Sequence, residues 1–202
     1  VGHRAATDAQ RAYVHAQLLN TLLPPQVVRY MTCNRLKTFV DSSPTCCCLF
    51  MDLVGFTAFS ATVSCIRLVE VLRVVFTNVD DLTVRYGVEK IKILGDCYVA
   101  ANGIFTRQSV EELGELLLLF ALHARCRVLS CLRPHALSVR IGANAGYVAC
   151  GVLDESKPYF DVWGDAVNVA AALEHQGAPG MVHIGPSLKD AVSWSPALHL
   201  TP

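Results

Sequence analysis

The sequence lacks an excess of charge of either sign and a long hydrophobic run, and each absence disfavours a class of protein. Lys and Arg number 17, as do Asp and Glu, so the broad basic surface of a nucleic-acid binder is missing and no nucleic-acid partner is predicted. The longest apolar run covers residues 116–122, which is too short to cross a bilayer. No charged segment followed by an apolar one opens the chain, so no signal peptide is predicted.

A C-x-x-C pair is also missing, although the chain has nine cysteines. A zinc site and a disulfide framework are both disfavoured, because the cysteine count is odd and three cysteines follow one another at positions 46–48. Cys65, Cys97 and Cys150 fall within apolar patterns. We expect the cysteines to be small core residues of a protein that stays in a reducing compartment.

What the sequence does contain is an alternation of strand-like and helix-like segments. Helical spacing over residues 8–23 ends at two prolines, and residues 1–39 are interpreted as a helical lead-in or linker. The predicted order from residue 40 onward is a strand at 46–54, a helix, a hairpin at 88–103, a helix at about 110–132, two strands joined by a turn at 145–146, a short helix and a last strand. The predicted fold class is therefore α+β, with a ferredoxin-like βαββαβ core, an appended helix and strand, and an antiparallel or mixed sheet over residues 40–202.

Local signals mark where these segments begin. Residues 40–45 contain Asp, Ser and Pro and are predicted to form a loop before the first strand. Thr57 or Ser60 is the predicted cap of the first helix, and Ser109 with Glu112 the predicted capping box of the second.

Two aspartates end segments that this fold would place side by side. Asp52 closes the apolar strand, and Asp96 follows Gly95 at the tip of the hairpin. Adjacent carboxylates repel each other unless a cation lies between them, and oxygen ligands without His or Cys suit Mg²⁺ or Mn²⁺. With a Gly-containing turn after Asp52 that suits phosphate oxygens, the pattern indicates a nucleoside triphosphate and two metal ions. On spacing alone, a purely structural role of both aspartates as turn and cap residues is an equal alternative.

Four segments resemble the motifs of the class III nucleotidyl (adenylyl and guanylyl) cyclase catalytic domain in order and separation. They are FMDLVGFTAFS, EKIKILGDCYVA, RIGANAGYVACGVL and YFDVWGDAVNVAAALEHQG. The resemblance covers about residues 40–190 and is strongest to the first cyclase half of eukaryotic membrane adenylyl cyclases. It implies an adenylate cyclase that converts ATP to 3′,5′-cyclic AMP and pyrophosphate, at a site shared between two such domains.

On the metal side, the resemblance implies that Asp52 and Asp96 bind two Mg²⁺ or Mn²⁺ ions with the help of the Leu53 carbonyl. It also implies that the backbone of Phe56 and Thr57 lies near the metal ions and the phosphates.

On the nucleotide side, Lys92 and Asp161 match the residues that recognise adenine, and Asn168 matches the one that holds the ribose in the transition state. Cyclases that select GTP usually place Glu and Cys at the two base-reading positions. The sequence departs from the pattern at Ala172, where an Arg that binds the phosphates is expected. By the same resemblance, the final strands and a second phosphate-binding Lys are expected after residue 202, and we expect the chain to be truncated at its C-terminus.

Both losses fall on the nucleotide side, while both metal aspartates are present. We therefore expect the chain to donate the aspartates to a heterodimer whose partner domain supplies the Arg, and a homodimer to be a poor enzyme. A guanylyl cyclase half-domain making cyclic GMP is one alternative, and a degenerate cyclase-like module that dimerises and regulates is another. LLPPQVVRYM resembles the linker before such domains in larger receptors, so a cytoplasmic-facing domain of a larger membrane protein is expected.

Overall fold

The structure is a computed structural model that describes residue 10 and residues 19–35, 38–153 and 157–201. The chain divides into two compact units. One comprises the chain up to Asp41 together with Cys150–Asp161, and the other comprises Ser42–Ala149 together with the chain from Val162 onward. Asp52 and Asp96 both lie in the second unit.

The helices of the described residues include six α-helices and one short 3₁₀ helix at Arg133–His135. The α-helices are α1 (Pro25–Asn34), α2 (Phe56–Ser60), α3 (Cys65–Tyr86), α4 (Val110–Leu132), α5 (Asp165–Gln176) and α6 (Pro186–Val192). The predicted helix over residues 8–23 lies mostly outside the described residues. Residues 19–22, which the structure describes, are helical. No helix in the described part of the chain is both long enough and apolar enough to cross a membrane.

In the part of the chain that the structure describes, six strands form one sheet. They are β1 (Phe39–Val54), β2 (Glu89–Leu94), β3 (Cys97–Asn102), β4 (Ser138–Leu153), β5 (Tyr159–Trp163) and β6 (Val182–Ile184). The strand order is β2-β3-β1-β4-β5, and β6 pairs in parallel with β4. Both β1 and β2 pair antiparallel with β3. The predicted α+β class with a mixed sheet is confirmed.

The core lies between one face of the sheet and the helices α3 and α4. Alternate residues of β1, including Cys47, Leu49 and Met51, are buried in it together with the apolar stripes of both helices. A Ser side chain caps each of these helices, since Ser64 accepts from the Arg67 amide and Ser109 from the Glu112 amide. The predicted cap at Ser109 is therefore confirmed.

Several local predictions are wrong. Residues 40–45 belong to β1 rather than to a loop, because pairing in the sheet outweighs their local turn preference. Neither Thr57 nor Ser60 caps the long helix, because both lie in the separate five-residue helix α2. Cys65 is exposed, unlike the buried Cys150 and the half-buried Cys97.

The predicted turn at Ala145 and Gly146 is also wrong, because β4 runs through it without a break. A Cβ at Gly146 would lie 3.3 Å from the Cβ of Ala166 on α5. The glycine thus serves the close approach of a helix rather than a reversal of the chain.

Candidate active site

Strand pairing brings Asp52 and Asp96 to the same edge of the sheet. Asp52, near the end of β1, is paired with Cys97, the first residue of β3, and Asp96 directly precedes Cys97 in the turn from β2. Gly95 makes this turn with a φ of 64°, a left-handed conformation that favours glycine. Burial and, next in size, repulsion by Asp52 raise the pKa of Asp96 above its ordinary value. Asp52 is therefore close enough to disfavour the charged form of Asp96.

Arg140 on β4 supplies a positive charge at this edge. Its Nη2 lies 3.0 Å from Oδ2 of Asp52 and 3.0 Å from Oε1 of Glu174, and its Nη1 donates to the His175 carbonyl. The Asp52 and Arg140 side chains are only 20% and 23% exposed, so the pair is less screened than a surface ion pair. Arg140 also lowers the pKa of Asp96, but by less than burial and Asp52 raise it.

Glu174 adds a third acidic group, carried by α5. It is 8% exposed, and burial followed by repulsion from Asp52 raises its pKa, although Arg140 opposes this. α5 comes so close because β4 has glycine at position 142, where a Cβ would lie 2.1 Å from the Glu174 amide nitrogen. Neither Arg140 nor Glu174 is among the site residues predicted from the sequence. The available signals were an arginine inside an apolar strand segment and a glutamate on the apolar stripe of a short helix.

The segment after Asp52 turns directly into a helix. Leu53 is 2% exposed and its side chain is part of the core, so its carbonyl is the group it can offer to a ligand. Gly55 precedes α2 with a φ of 87°, and Phe56 and Thr57 are the first two residues of that helix. The geometry is compatible with the predicted approach of this backbone to phosphates.

A β-bulge determines where Lys92 points. Lys90 is paired with Ala100, but Lys92 is paired with Val99, so one extra residue stands in β2 between them. Ala100 belongs to the core under α3 and α4, whereas Val99 is buried outside that core. Because residues two apart share a face of a strand, Lys92 lies on the sheet face of Asp52 and Cys97.

Two of the remaining predicted site positions lie on α5. Asn168 and Ala172 are exposed and one helical turn apart on α5, so they share a face. Within the described residues, no hydrogen bond or ion pair joins Asn168 to Asp52 or Asp96. Asp161 belongs to the other compact unit, where it is 6% exposed on β5.

The sequence from residue 39 to residue 200 matches the family described as the adenylate and guanylate cyclase catalytic domain. The chain belongs to this family. It is a nucleotidyl cyclase catalytic domain, and the resemblance seen in the four motifs is confirmed.

Its relatives include cyclases of both nucleotide classes. The chain is 36% identical to a germination-specific adenylate cyclase of Dictyostelium discoideum, over 83% of this chain and 20% of that protein. It is 30% identical to the soluble guanylate cyclase subunit beta-2 of Rattus norvegicus, over 87% of this chain and 26% of the relative. The chain therefore spans between a fifth and about a quarter of these two relatives.

Solved cyclase domains share the fold. The guanylate cyclase domain of RhGC from Catenaria anguillulae, in complex with GTP, superposes with a TM-score of 0.70 at 25% identity, covering 75% of this chain and 83% of that one. The adenylyl cyclase CyaB from P. aeruginosa gives a TM-score of 0.72 at 20% identity, covering 77% and 83%. The second likeness shows the fold alone.

The residues of this cyclase domain fit a divalent metal site with only two protein carboxylates. The described residues hold no cluster of three or more His, Cys, Asp and Glu side chains suited to a metal ion. What they hold is the Asp52 and Asp96 pair, whose repulsion raises the pKa of Asp96. Mg²⁺ commonly takes only one or two protein carboxylates and completes its shell with water and substrate phosphate, so this pair suits it.

Proposed function

We propose that this domain is the metal-donating half of an adenylyl cyclase site, in which Asp52 and Asp96 hold two Mg²⁺ or Mn²⁺ ions. The observation that supports this most directly is the pairing of Asp52 with Cys97, which sets both carboxylates at one edge of the sheet. A pair of acids that repel each other is costly unless a cation compensates them. A bound divalent ion would lower the pKa of the attacking hydroxyl and offset phosphate charge.

The protein groups around the pair have complementary tasks. Asp52 and Asp96 would hold the cations, with the Leu53 carbonyl as a further oxygen ligand. Arg140 lies 3.0 Å from Asp52 and would be drawn toward the triphosphate once cations neutralise that carboxylate. The backbone of Phe56 and Thr57 would then contact the phosphates. In the reaction, the ribose 3′-hydroxyl displaces pyrophosphate from the α-phosphorus in line, which requires positioning and charge stabilisation but no nucleophilic side chain.

The nucleotide side is proposed to come mainly from a partner domain. Lys92, Asp161 and Asn168 match residues that read adenine and hold ribose, but Ala172 stands where the phosphate-binding Arg is expected. In a heterodimer, the complete set of these residues would lie on the partner, and the corresponding residues of this chain would line a second, non-reacting site. A partner that carries the Arg is therefore expected to be necessary for turnover.

Two other functions are each favoured by a specific observation. A guanylyl cyclase half is favoured by the guanylate cyclases among its relatives and by the GTP bound to the Catenaria anguillulae domain. A degenerate regulatory module is favoured by Ala172. The lysine and aspartate at positions 92 and 161 support ATP over GTP, and the retained aspartate pair supports catalysis over regulation alone.

We also propose that residues 1–39 link the catalytic domain at 40–202 to other parts of a larger membrane protein and that the domain faces the cytoplasm. The relatives include proteins named as receptor-type guanylate cyclases, of which the match covers only 15%. Measuring whether a tagged full-length protein co-sediments with membranes would test this.

Product formation tests the catalytic proposal. The chain alone and the chain mixed with an Arg-bearing cyclase domain are each supplied with Mn²⁺ and either ATP or GTP. We expect cyclic AMP from the mixture only, and its loss in Asp96→Ala. Asp81→Ala is the matched control, because it removes an exposed carboxylate on α3 and should leave the activity unchanged. An inactive mixture, despite a complex seen by gel filtration, would leave the regulatory module as the better account.

A further inference from the structure

The carboxylate of Asp80 on α3 binds both strands of the hairpin that carries Lys92 and Asp96. Its Oδ1 accepts a hydrogen bond of 2.7 Å from the Tyr98 hydroxyl on β3, and its Oδ2 lies 2.7 Å from Nζ of Lys90 on β2. The Lys90 Nζ also lies 5.3 Å from the centre of the Tyr98 ring. One side chain of α3 thus contacts both β2, the outermost strand, and its neighbour β3.

The two attachment points lie on opposite sides of the β-bulge. Lys90 is the last residue of β2 before the extra residue Ile91, and Tyr98 is paired with Ile93, which follows it. Without the extra residue, Lys92 would be opposite Tyr98 and would face the helices. A shift of one residue moves every side chain of a strand to the other face, so the position of the bulge decides whether Lys92 faces the side of Asp52.

We propose that Asp80 is a positioning residue of this cyclase domain, which holds the bulge at Ile91 in place through Lys90 and Tyr98. It thereby fixes Lys92 and Asp96 relative to Asp52. This inference rests on the proposed function for the roles of Lys92 and Asp96, but the placement itself is open to a direct measurement.

The burial of Tyr98 gives the contact its specificity. Lys90 and Asp80 are 36% and 40% exposed, and an ion pair this exposed contributes little by itself. Tyr98 has no exposed surface and packs against Phe76 of α3 with ring centres 5.7 Å apart. Its hydroxyl must find a partner inside the protein, and burial and Asp80 together raise its pKa. Asp80 meets that requirement only while β3 keeps its register against α3.

The test compares Asp80→Ala with Asp81→Ala, its neighbour on the same helix. Asp81 is 70% exposed and lies 3.8 Å from Arg127, so its removal deletes the same charge without touching the hairpin. Tyr98→Phe is a milder second variant, because it removes one hydroxyl and leaves the buried ring. Asp80→Glu keeps the acceptor and serves as the conservative replacement.

The first measurement is the Mn²⁺ requirement of the activity, in the presence of an Arg-bearing partner domain. The second is the amide hydrogen exchange of the chain. We expect Asp80→Ala to raise the Mn²⁺ concentration for half-maximal activity by about tenfold, as the loss of a group supporting a metal ligand commonly does. Tyr98→Phe should raise it less, Asp80→Glu should recover part of the loss, and Asp81→Ala should match the native protein. Amide hydrogen exchange of residues 89–94 should quicken in Asp80→Ala, while that of β1 stays unchanged.

A purely structural role would lower the melting temperature of Asp80→Ala but leave the Mn²⁺ requirement and the exchange of β2 within twofold of the native values. That result would overturn the inference. Retention of activity in Asp96→Ala would instead overturn the proposed function, and the exchange measurement would still decide whether Asp80 holds the bulge.

Discussion

At the scale of single residues, the candidate site is a balance between acids that repel each other and one arginine. Asp96 and Glu174 both have raised pKa values, and for both the Asp52 charge is a cause second only to burial. Arg140 touches Asp52 and Glu174 but does not cancel the repulsion. The site is thus prepared for additional positive charge.

The repulsion predicts a pH-dependent effect of Asp96→Asn on stability. The pKa of Asp96 is higher in the folded state than its ordinary value. Between these two pKa values the folded protein keeps a proton on Asp96 that the unfolded chain has released. The stability of the folded state therefore falls as the pH rises through this interval. Above this interval the charged form of Asp96 destabilises the folded state. Asp96→Asn should therefore raise Tm at pH 7, by about 2–4 °C for each kcal/mol gained in the free energy of unfolding. At about pH 3 it should leave Tm unchanged.

Thermal unfolding at both pH values checks this prediction, with Asp81→Asn as the control that changes Tm at neither. Mn²⁺ should raise the Tm of the native protein more than that of Asp96→Asn. A lower Tm for Asp96→Asn at pH 7 would show that the folded state favours the charged form of Asp96, contrary to this account.

The missing arginine predicts a gain of function. Ala172 is exposed and lies one turn after Asn168 on α5, so an arginine there has room to extend toward a partner. Ala172→Arg should raise the cyclase activity of the chain without a partner domain by about tenfold or more, since one such group is commonly worth 10² or more in rate. Cyclic nucleotide production by the variant alone measures this.

Ala172→Gln is the matched control, because it adds length and polarity without charge and should give no gain. If Ala172→Arg stays as inactive as the native chain although it still dimerises, the nucleotide side lacks more than this one residue.

At the scale of elements, the contact between α5 and β4 places Glu174 beside Arg140. It depends on Gly142, where a Cβ would lie 2.1 Å from the amide nitrogen of Glu174 and 2.3 Å from the carbonyl oxygen of Ala170. Both obstructing atoms belong to the helix backbone, so no change of rotamer relieves the overlap.

Gly142→Ala should therefore shift α5 away from the sheet and destabilise the protein by about 1–3 kcal/mol or more. Denaturant unfolding measures the loss, and activity with a partner domain should fall as well, since Glu174 moves. Gly87→Ala is the comparison, because Gly87 has a φ of 61° but no atom within 4 Å of its missing Cβ. Gly142 is not among the glycines with positive φ, so only Gly87→Ala carries backbone strain. A loss at Gly142 smaller than the loss at Gly87 would contradict the packing explanation.

The sequence predicts elements well where one local signal dominates. The apolar stripe and Ser109 cap predict α4, and an apolar run predicts the buried part of β1. It fails where distant contacts decide. Residues 40–45 are strand because of their neighbours in the sheet, and Gly146 is extended because α5 approaches it. For the same reason Asp52 and Asp96 are predictable from topology, whereas Arg140 and Glu174 are found only once α5 is seen against β4.

At the scale of the whole molecule, nine cysteines remain free. Three of them are exposed, namely Cys33, Cys65 and Cys126, and two, Cys97 and Cys131, are half-buried. The other four are buried. Burial raises the pKa of the buried Cys47 and of the half-buried Cys97 to about 12. The thiols that a reagent can reach are therefore mainly these three exposed ones.

A thiol-reactive chromophore should accordingly label three thiols of the native chain quickly, two slowly and the remaining four only after denaturation. The time course of absorbance in native and denaturing buffer gives these numbers. Rapid labelling of more than five thiols would mean that strands β1 and β4 open readily. Labelling of fewer than nine in denaturant without reductant would indicate disulfides in the isolated protein.

The position of β2 at the end of the strand order has a consequence for solubility. An outermost strand presents unpaired backbone groups that can recruit the same strand of another molecule and begin aggregation. β2 is short, carries Glu89, Lys90 and Lys92, and is interrupted by a bulge, all of which oppose such pairing. The irregularity that directs Lys92 toward the aspartates thus also protects the open side of the sheet against growth into fibres.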